Sequence, residues 1–132
     1  MKLLLISLTI MAVSSLLMEV QAAEQLKPDG STTLRHVVGF KFKSTTTEQE
    51  IKQVETAFRD LKKKIPQIVS YEWGINISPE NLNKGCTHGF ILAFKTEKDR
   101  DTYLNHPDHK AFGTMVRPLL DDVFVIDFWS RE

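Results

Sequence analysis

The sequence predicts an α+β fold of order β-α-β-β-α-β, a four-stranded antiparallel sheet with its helices on one face. Three observations carry this. Four segments alternate apolar and polar residues with a period of two, two longer segments repeat apolar residues every three or four, and caps or prolines separate them.

Residues 34–43 alternate, with Leu34, His36, Val38, Phe40 and Phe42 on one side and Arg35, Val37, Gly39, Lys41 and Lys43 on the other. Thr47 with Glu50 three later is a capping box. The helix after it places Ile51, Val54, Phe58, Leu61 and Ile65 on one stripe, and Pro66 stops it. Residues 68–77 alternate again, with Val69, Tyr71, Trp73, Ile75 and Ile77 in phase. A polar loop over 78–85 leads to a third strand, 87–95, where His88, Phe90, Leu92 and Phe94 face one way. Thr96 caps a second helix running to about Asn105. After a His106-Pro107 corner, residues 109–120 read as mostly helical, and 122–130 as a fourth strand with Phe124, Ile126 and Phe128 opposite Val123, Val125 and Trp129. This is the ferredoxin-like split βαβ order. The rules for connections place strands one and three side by side at its centre.

The run Tyr103-Leu104-Asn105-His106-Pro107-Asp108-His109 holds a phenol and two of the four histidines of the chain around a proline. Proline breaks the helix there, and imidazole is the side chain that titrates nearest neutral pH. His36 and His88 share the parity of their strands' large aromatics, so both are expected beneath the helices. Convergence of all four histidines with Tyr103 is expected at that end of the sheet. His106 before the proline suits a helix-end cap, which leaves His109 for the cavity. A further apolar set, including Val37, Tyr71, Trp73, Ile75, Ile91, Ala93, Val123, Val125 and Trp129, exceeds what the helices can cover. An apolar back to a one-sided sheet marks an interface. Two such sheets back to back would close a barrel in an isologous homodimer, with Tyr71 and Trp73 serving it.

Residues 1–22 match a secretory signal peptide: Met1-Lys2, an apolar stretch from Leu3 to Leu17, and Val20-Gln21-Ala22 before the cleavage point. The apolar stretch is short for a membrane span. The expectation is an exported chain, periplasmic or extracellular, with no membrane anchor after cleavage, a loose tail over 23–33 and one domain over 34–130. Seventeen basic and seventeen acidic residues cancel, so nothing in the charge suggests nucleic acid as a partner. The single Cys86 excludes an internal disulfide. His88 two residues on makes an activated thiol conceivable, against a plain small residue at a loop–strand junction.

Several separated motifs resemble the stress-responsive A/B barrel domain family, often called Dabb. They are Leu34-Arg35-His36-Val37-Val38-Gly39-Phe40-Lys41-Phe42-Lys43, Ile65-Pro66 followed by Trp73-Gly74-Ile75-Asn76, Thr87-His88-Gly89-Phe90, and His106-Pro107-Asp108-His109 with Phe112. The resemblance spans about 33–130 and implies the dimeric α+β barrel. An enzymatic branch of that family closes linear polyketides by intramolecular aldol condensation. Its catalytic tyrosine and histidine match Tyr103 and His109, and histidines matching His36 and His88 line its pocket. That implies His109 as general base, Tyr103 as its partner, and His36, His88, Phe90 and Phe112 as ligand-binding residues, with no metal or cofactor. The family's members do not share one activity.

Four readings remain open at this level. The first is a dimer that binds a small apolar or aromatic molecule in a cavity lined by histidine and tyrosine. The second is a lyase, cyclase or isomerase using His109 and Tyr103. The third is a metal site built from imidazoles, which lacks a carboxylate cluster to complete it. The fourth is a structural dimer without a ligand.

Overall fold

The structure is a computed structural model that describes residues 32–131. The expected signal peptide over 1–22, and the tail as far as 31, lie outside the described residues.

Strand β1 (Leu34–Phe42) leads into helix α1 (Glu48–Lys64). The capping box forms: the Thr47 hydroxyl accepts from the Glu50 amide at 3.3 Å, and the Glu50 carboxylate accepts from the Thr47 amide at 2.8 Å. Val54, Phe58 and Leu61 are buried on the inner stripe, and Lys62, Lys63 and Lys64 close the last turn, where positive charge suits the helix dipole. The edge strand β2 (Ser70–Ile75) and the central strand β3 (His88–Phe94) follow.

Two short helices come next. Helix α2 (Glu97–Asn105) is capped by Thr96, and α3 (Pro107–Val116) begins on the proline itself. Proline at a first helical position gives up no needed hydrogen bond, so the break is a corner and not a gap. Helix α3 therefore starts two residues before the 109–120 expected. It yields to a 3-10 turn, Arg117–Leu119, because Pro118 has no amide to continue it. Strand β4 (Leu120–Trp129) completes the sheet.

The strand order is β2-β3-β1-β4, antiparallel at every pairing, with β1 and β3 central as the sequence predicts. Leu34, Val38, Phe40, Phe90, Leu92 and Phe94 of those two strands are buried beneath α1 and its neighbours. Burying one such side chain contributes about 1.5–3 kcal/mol.

The register corrects the expected faces of the edge strands. Tyr71, Trp73 and Ile75 stand opposite Leu92, Phe90 and His88. Val123, Val125 and Trp129 stand opposite Phe40, Val38 and Leu34. Directly opposed residues share a face, so all six belong to the helix side. Tyr71 packs edge-on against Phe58 there, at 5.5 Å between ring centres. Alternation within one strand separates two faces but does not say which is inner; only pairing does. The back of the sheet instead carries Val37, Ile91, Phe124, Ile126 and Phe128. It is apolar as expected, and Phe124, Ile126 and Phe128 are about half exposed in the single chain.

Candidate functional site

Edge strand β4 extends beyond the cover of the helices. Val123 and Val125 lie on its helix side, yet they are 50% and 49% exposed. Between them and α3 an open-mouthed cavity of about 520 Å³ remains. Its floor is Val38, Val123 and Val125; Phe112, Gly113 and Val116 of α3 roof it; and His36, Tyr103, His109 and Asp127 gather at one end.

The polar end is built from four elements. Tyr103, on α2, is buried and packs against His36 with ring centres 5.7 Å apart and against His109 with centres 4.3 Å apart. His109 sits in the first turn of α3, brought beside Tyr103 by the proline corner. Its Nδ1 lies 3.1 Å from the Leu104 carbonyl. A carbonyl only accepts, so Nδ1 carries the proton and the neutral ring keeps Nε2 as its acceptor. Burial lowers the His109 pKa, only partly offset by the Leu104 carbonyl, with His36 and His106 lowering it further. Burial likewise pushes the Tyr103 phenol up, helped by the Tyr71 phenol and Asp127. Near neutral pH the site thus holds a neutral imidazole against a protonated phenol.

The fourth contributor is Asp127 of β4. Its Oδ1 lies 2.6 Å from His36 Nδ1, and its Oδ2 accepts from Arg100 of α2 at 2.6 Å. Burial raises the Asp127 pKa, but the hydrogen bonds from Arg100 and His36 outweigh it and hold the carboxyl below its ordinary range. The ionised carboxylate accepts from His36 Nδ1, which fixes that ring. Asp127 and Arg100 are absent from the site that the sequence predicts. The signal for Asp127 is an acidic residue within Val123-Phe124-Val125-Ile126-Asp127-Phe128-Trp129. A charge there needs a partner.

The expected convergence of four histidines is not what forms. His36, Tyr103, His109 and Phe112 meet around the cavity; His88 and Phe90 do not line it. His88, at the far end of β3, has both nitrogens engaged, Nδ1 with Thr87 Oγ1 at 2.8 Å and Nε2 with Glu55 Oε1 at 3.1 Å. Trp73 lies parallel to its ring and Phe42 meets it edge-on. Phe90 is fully buried between Phe40 and Phe58. His106 caps a helix, but the one ahead of it: its Nδ1 accepts from the Asp108 amide that starts α3. Cys86 faces Gly39 and Phe124 on the back of the sheet, away from His88, so the two form no thiol–imidazole pair. Among the described residues no three histidine, cysteine or acidic side chains group as metal ligands would.

The family model of the stress responsive A/B barrel domain matches residues 34–130. The stress-response A/B barrel domain-containing protein HS1 of Arabidopsis thaliana is 32% identical over 95 residues, 72% of this chain and 87% of HS1. Olivetolic acid cyclase of Cannabis sativa is 25% identical over 99 residues, 75% of this chain and 98% of the cyclase. Among solved structures, a dimeric ferredoxin-like protein of unknown function from Thermobifida fusca superposes with a TM-score of 0.65 at 26% identity, covering 78% of this chain and 94% of that one.

Proposed function

This chain belongs to the stress-responsive A/B barrel domain family, and on that premise we propose that it is a homodimer binding one small apolar or aromatic molecule per subunit in the cavity between α3 and β4. The observation that carries the proposal is the contrast within that cavity. Val38, Val123, Val125, Phe112 and Val116 give it apolar walls, Arg117, Asp121 and Asp122 also border it, and one end gathers a phenol and two imidazoles whose Nδ1 atoms are already engaged. Binding cavities combine an apolar lining with a few placed polar groups in this way. A ligand with one hydroxyl or enol to donate to an Nε2 and an apolar remainder suits it. The half-exposed Phe124, Ile126 and Phe128 on the back face are the surface for a second copy. The dimeric relative from Thermobifida fusca supports that assembly.

Calorimetric titration with phenol, 4-ethylphenol, 4-butylphenol and 4-hexylphenol tests the binding proposal. Saturable binding of one molecule per subunit is expected, strengthening by about 0.8 kcal/mol per added methylene until the cavity is full. Absence of binding along the whole series, by a folded dimer, contradicts it. Sedimentation equilibrium tests the assembly: the wild type runs as a dimer and Ile126→Asp as a monomer. A monomeric wild type opposes the dimer.

A second reading, proton abstraction next to a carbonyl as in a cyclase or lyase, is favoured by the fixed tautomer of His109. A neutral imidazole with a free Nε2 is a general base, and the adjacent protonated phenol can donate to a developing oxyanion. The similarity to olivetolic acid cyclase supports this reading. Deuterium incorporation into 2,4-nonanedione tests it: catalysis above buffer, reduced by about 100-fold or more in His109→Gln, is expected. Equal rates with and without protein leave binding as the function.

The leader-like residues 1–22 support placing this domain outside the cytoplasm. An exported product beginning at Ala23, seen by N-terminal sequencing of cell fractions, is the expected result. A cytoplasmic product that retains residues 1–22 opposes it.

A further inference from the structure

Helix α3 carries a glycine in its interior that the backbone does not need. Gly113 lies inside Pro107–Val116, where glycine destabilises a helix by about 0.5–1 kcal/mol relative to alanine. Its φ is not in the left-handed region, and a Cβ built on it meets no atom within 4 Å. Neither conformation nor crowding explains the missing side chain. Gly113 does line the cavity, and it lies four residues after His109. Residues four apart share a helix face, and the Cα–Cβ bond leans toward the helix N-terminus. A side chain at 113 would therefore lie back over His109 and into the cavity.

We propose that Gly113 is the specificity-determining position of the cavity: its missing side chain keeps open the approach to His109 and makes room for the apolar part of the ligand. This rests on the small-molecule reading of the same site and adds to it a limit on ligand size set at one residue. Alanine at 113 would narrow the approach slightly, whereas leucine would cover the imidazole.

Two readouts on Gly113→Ala, Gly113→Leu and the wild type test this. The first needs no ligand: carbethoxylation of His109 by diethylpyrocarbonate, followed by peptide mass spectrometry on the folded dimer. The expected result is a rate at least tenfold lower in Gly113→Leu and within threefold of wild type in Gly113→Ala. The second is the affinity for 4-butylphenol, expected to fall at least tenfold in Gly113→Leu while phenol itself loses less. Gly113→Met, unbranched and a better fit for a tight helix surface, gives the same test should leucine disturb folding. Equal labelling of His109 in all variants overturns the role of Gly113, whatever binds. Slowed labelling without phenol binding by any variant leaves Gly113 controlling access while the small-molecule reading fails.

Discussion

Two buried histidines, His36 and His88, sit near opposite ends of the helix side of one sheet, and each is paired with a carboxylate. Their strands are adjacent and antiparallel, and their residue patterns are nearly the same. Yet one histidine borders the cavity between α3 and β4, while the other lies outside it with both ring nitrogens engaged. At the His88 end, Glu55 of α1 and Thr87 take both ring nitrogens, and Trp73 and Phe42 close around the ring. At the His36 end, Asp127 takes one nitrogen, and the short helices α2 and α3, broken at Pro107, leave β4 uncovered. A titratable side chain under a helix layer becomes a site only where the layer stops short. The length of α1 closes one end; the proline corner opens the other.

Truncation separates the ends most sharply. Phe90→Ala, in the closed end, is expected to cost about 3–5 kcal/mol of unfolding free energy, because nothing can collapse into the space it leaves. Val125→Ala, on the open floor and half exposed, should stay within about 1 kcal/mol of wild type. Urea unfolding of both variants measures the contrast. Equal losses would mean that the cavity is packed as tightly as the core.

The carboxylate partners give a smaller difference. Asp127→Asn leaves Arg100 and His36 facing an amide and should destabilise by about 1–3 kcal/mol. It should also weaken ligand binding, since His36 loses the partner that fixes its ring. Glu55→Gln at the closed end should cost stability with no change in ligand affinity. Thermal unfolding and phenol titration on the two variants check both statements. Loss of affinity in Glu55→Gln would join the two ends functionally.

The smallest effects are in pH dependence. Burial raises the pKa of Asp127, but hydrogen bonds from Arg100 and His36 set it net below its unfolded value. Its contribution to stability is therefore present above the unfolded carboxyl pKa, about 3.9, and lost as pH falls through the lower folded value. Asp127→Asn should flatten that acid limb. Burial depresses His109, so its neutral form is favoured by folding. That contribution is full above about pH 6.5 and declines as pH falls through the lower folded pKa. His109→Gln should remove a shallow slope just below pH 6.5 in a series of urea midpoints. A slope of the opposite sign would mean that His109 gains a proton on folding.

Much of this was legible in the sequence, and the parts that were not share a cause. The order of elements could be read because each boundary has a local signal: Thr47 with Glu50, Pro66, Thr96, Pro107. The meeting of Tyr103, His36 and His109 could be read because parity and a proline corner are also local. Which face of β2 and β4 looks inward could not be read, since that depends on pairing across the sheet. Nor could the fate of His88, which is decided by Glu55, 33 residues away. Asp127 stands 91 residues from His36, and the void beside Gly113 belongs to no segment alone.

Histidine-resolved NMR during titration with 4-butylphenol tests the contrast between the two ends most directly. The expected result is saturable movement of the His36 and His109 Nε2 resonances, with His109 held in the Nδ1–H tautomer and His88 unmoved. Movement of His88 with His36 and His109 silent would place binding at the His88 end and contradict the site described above.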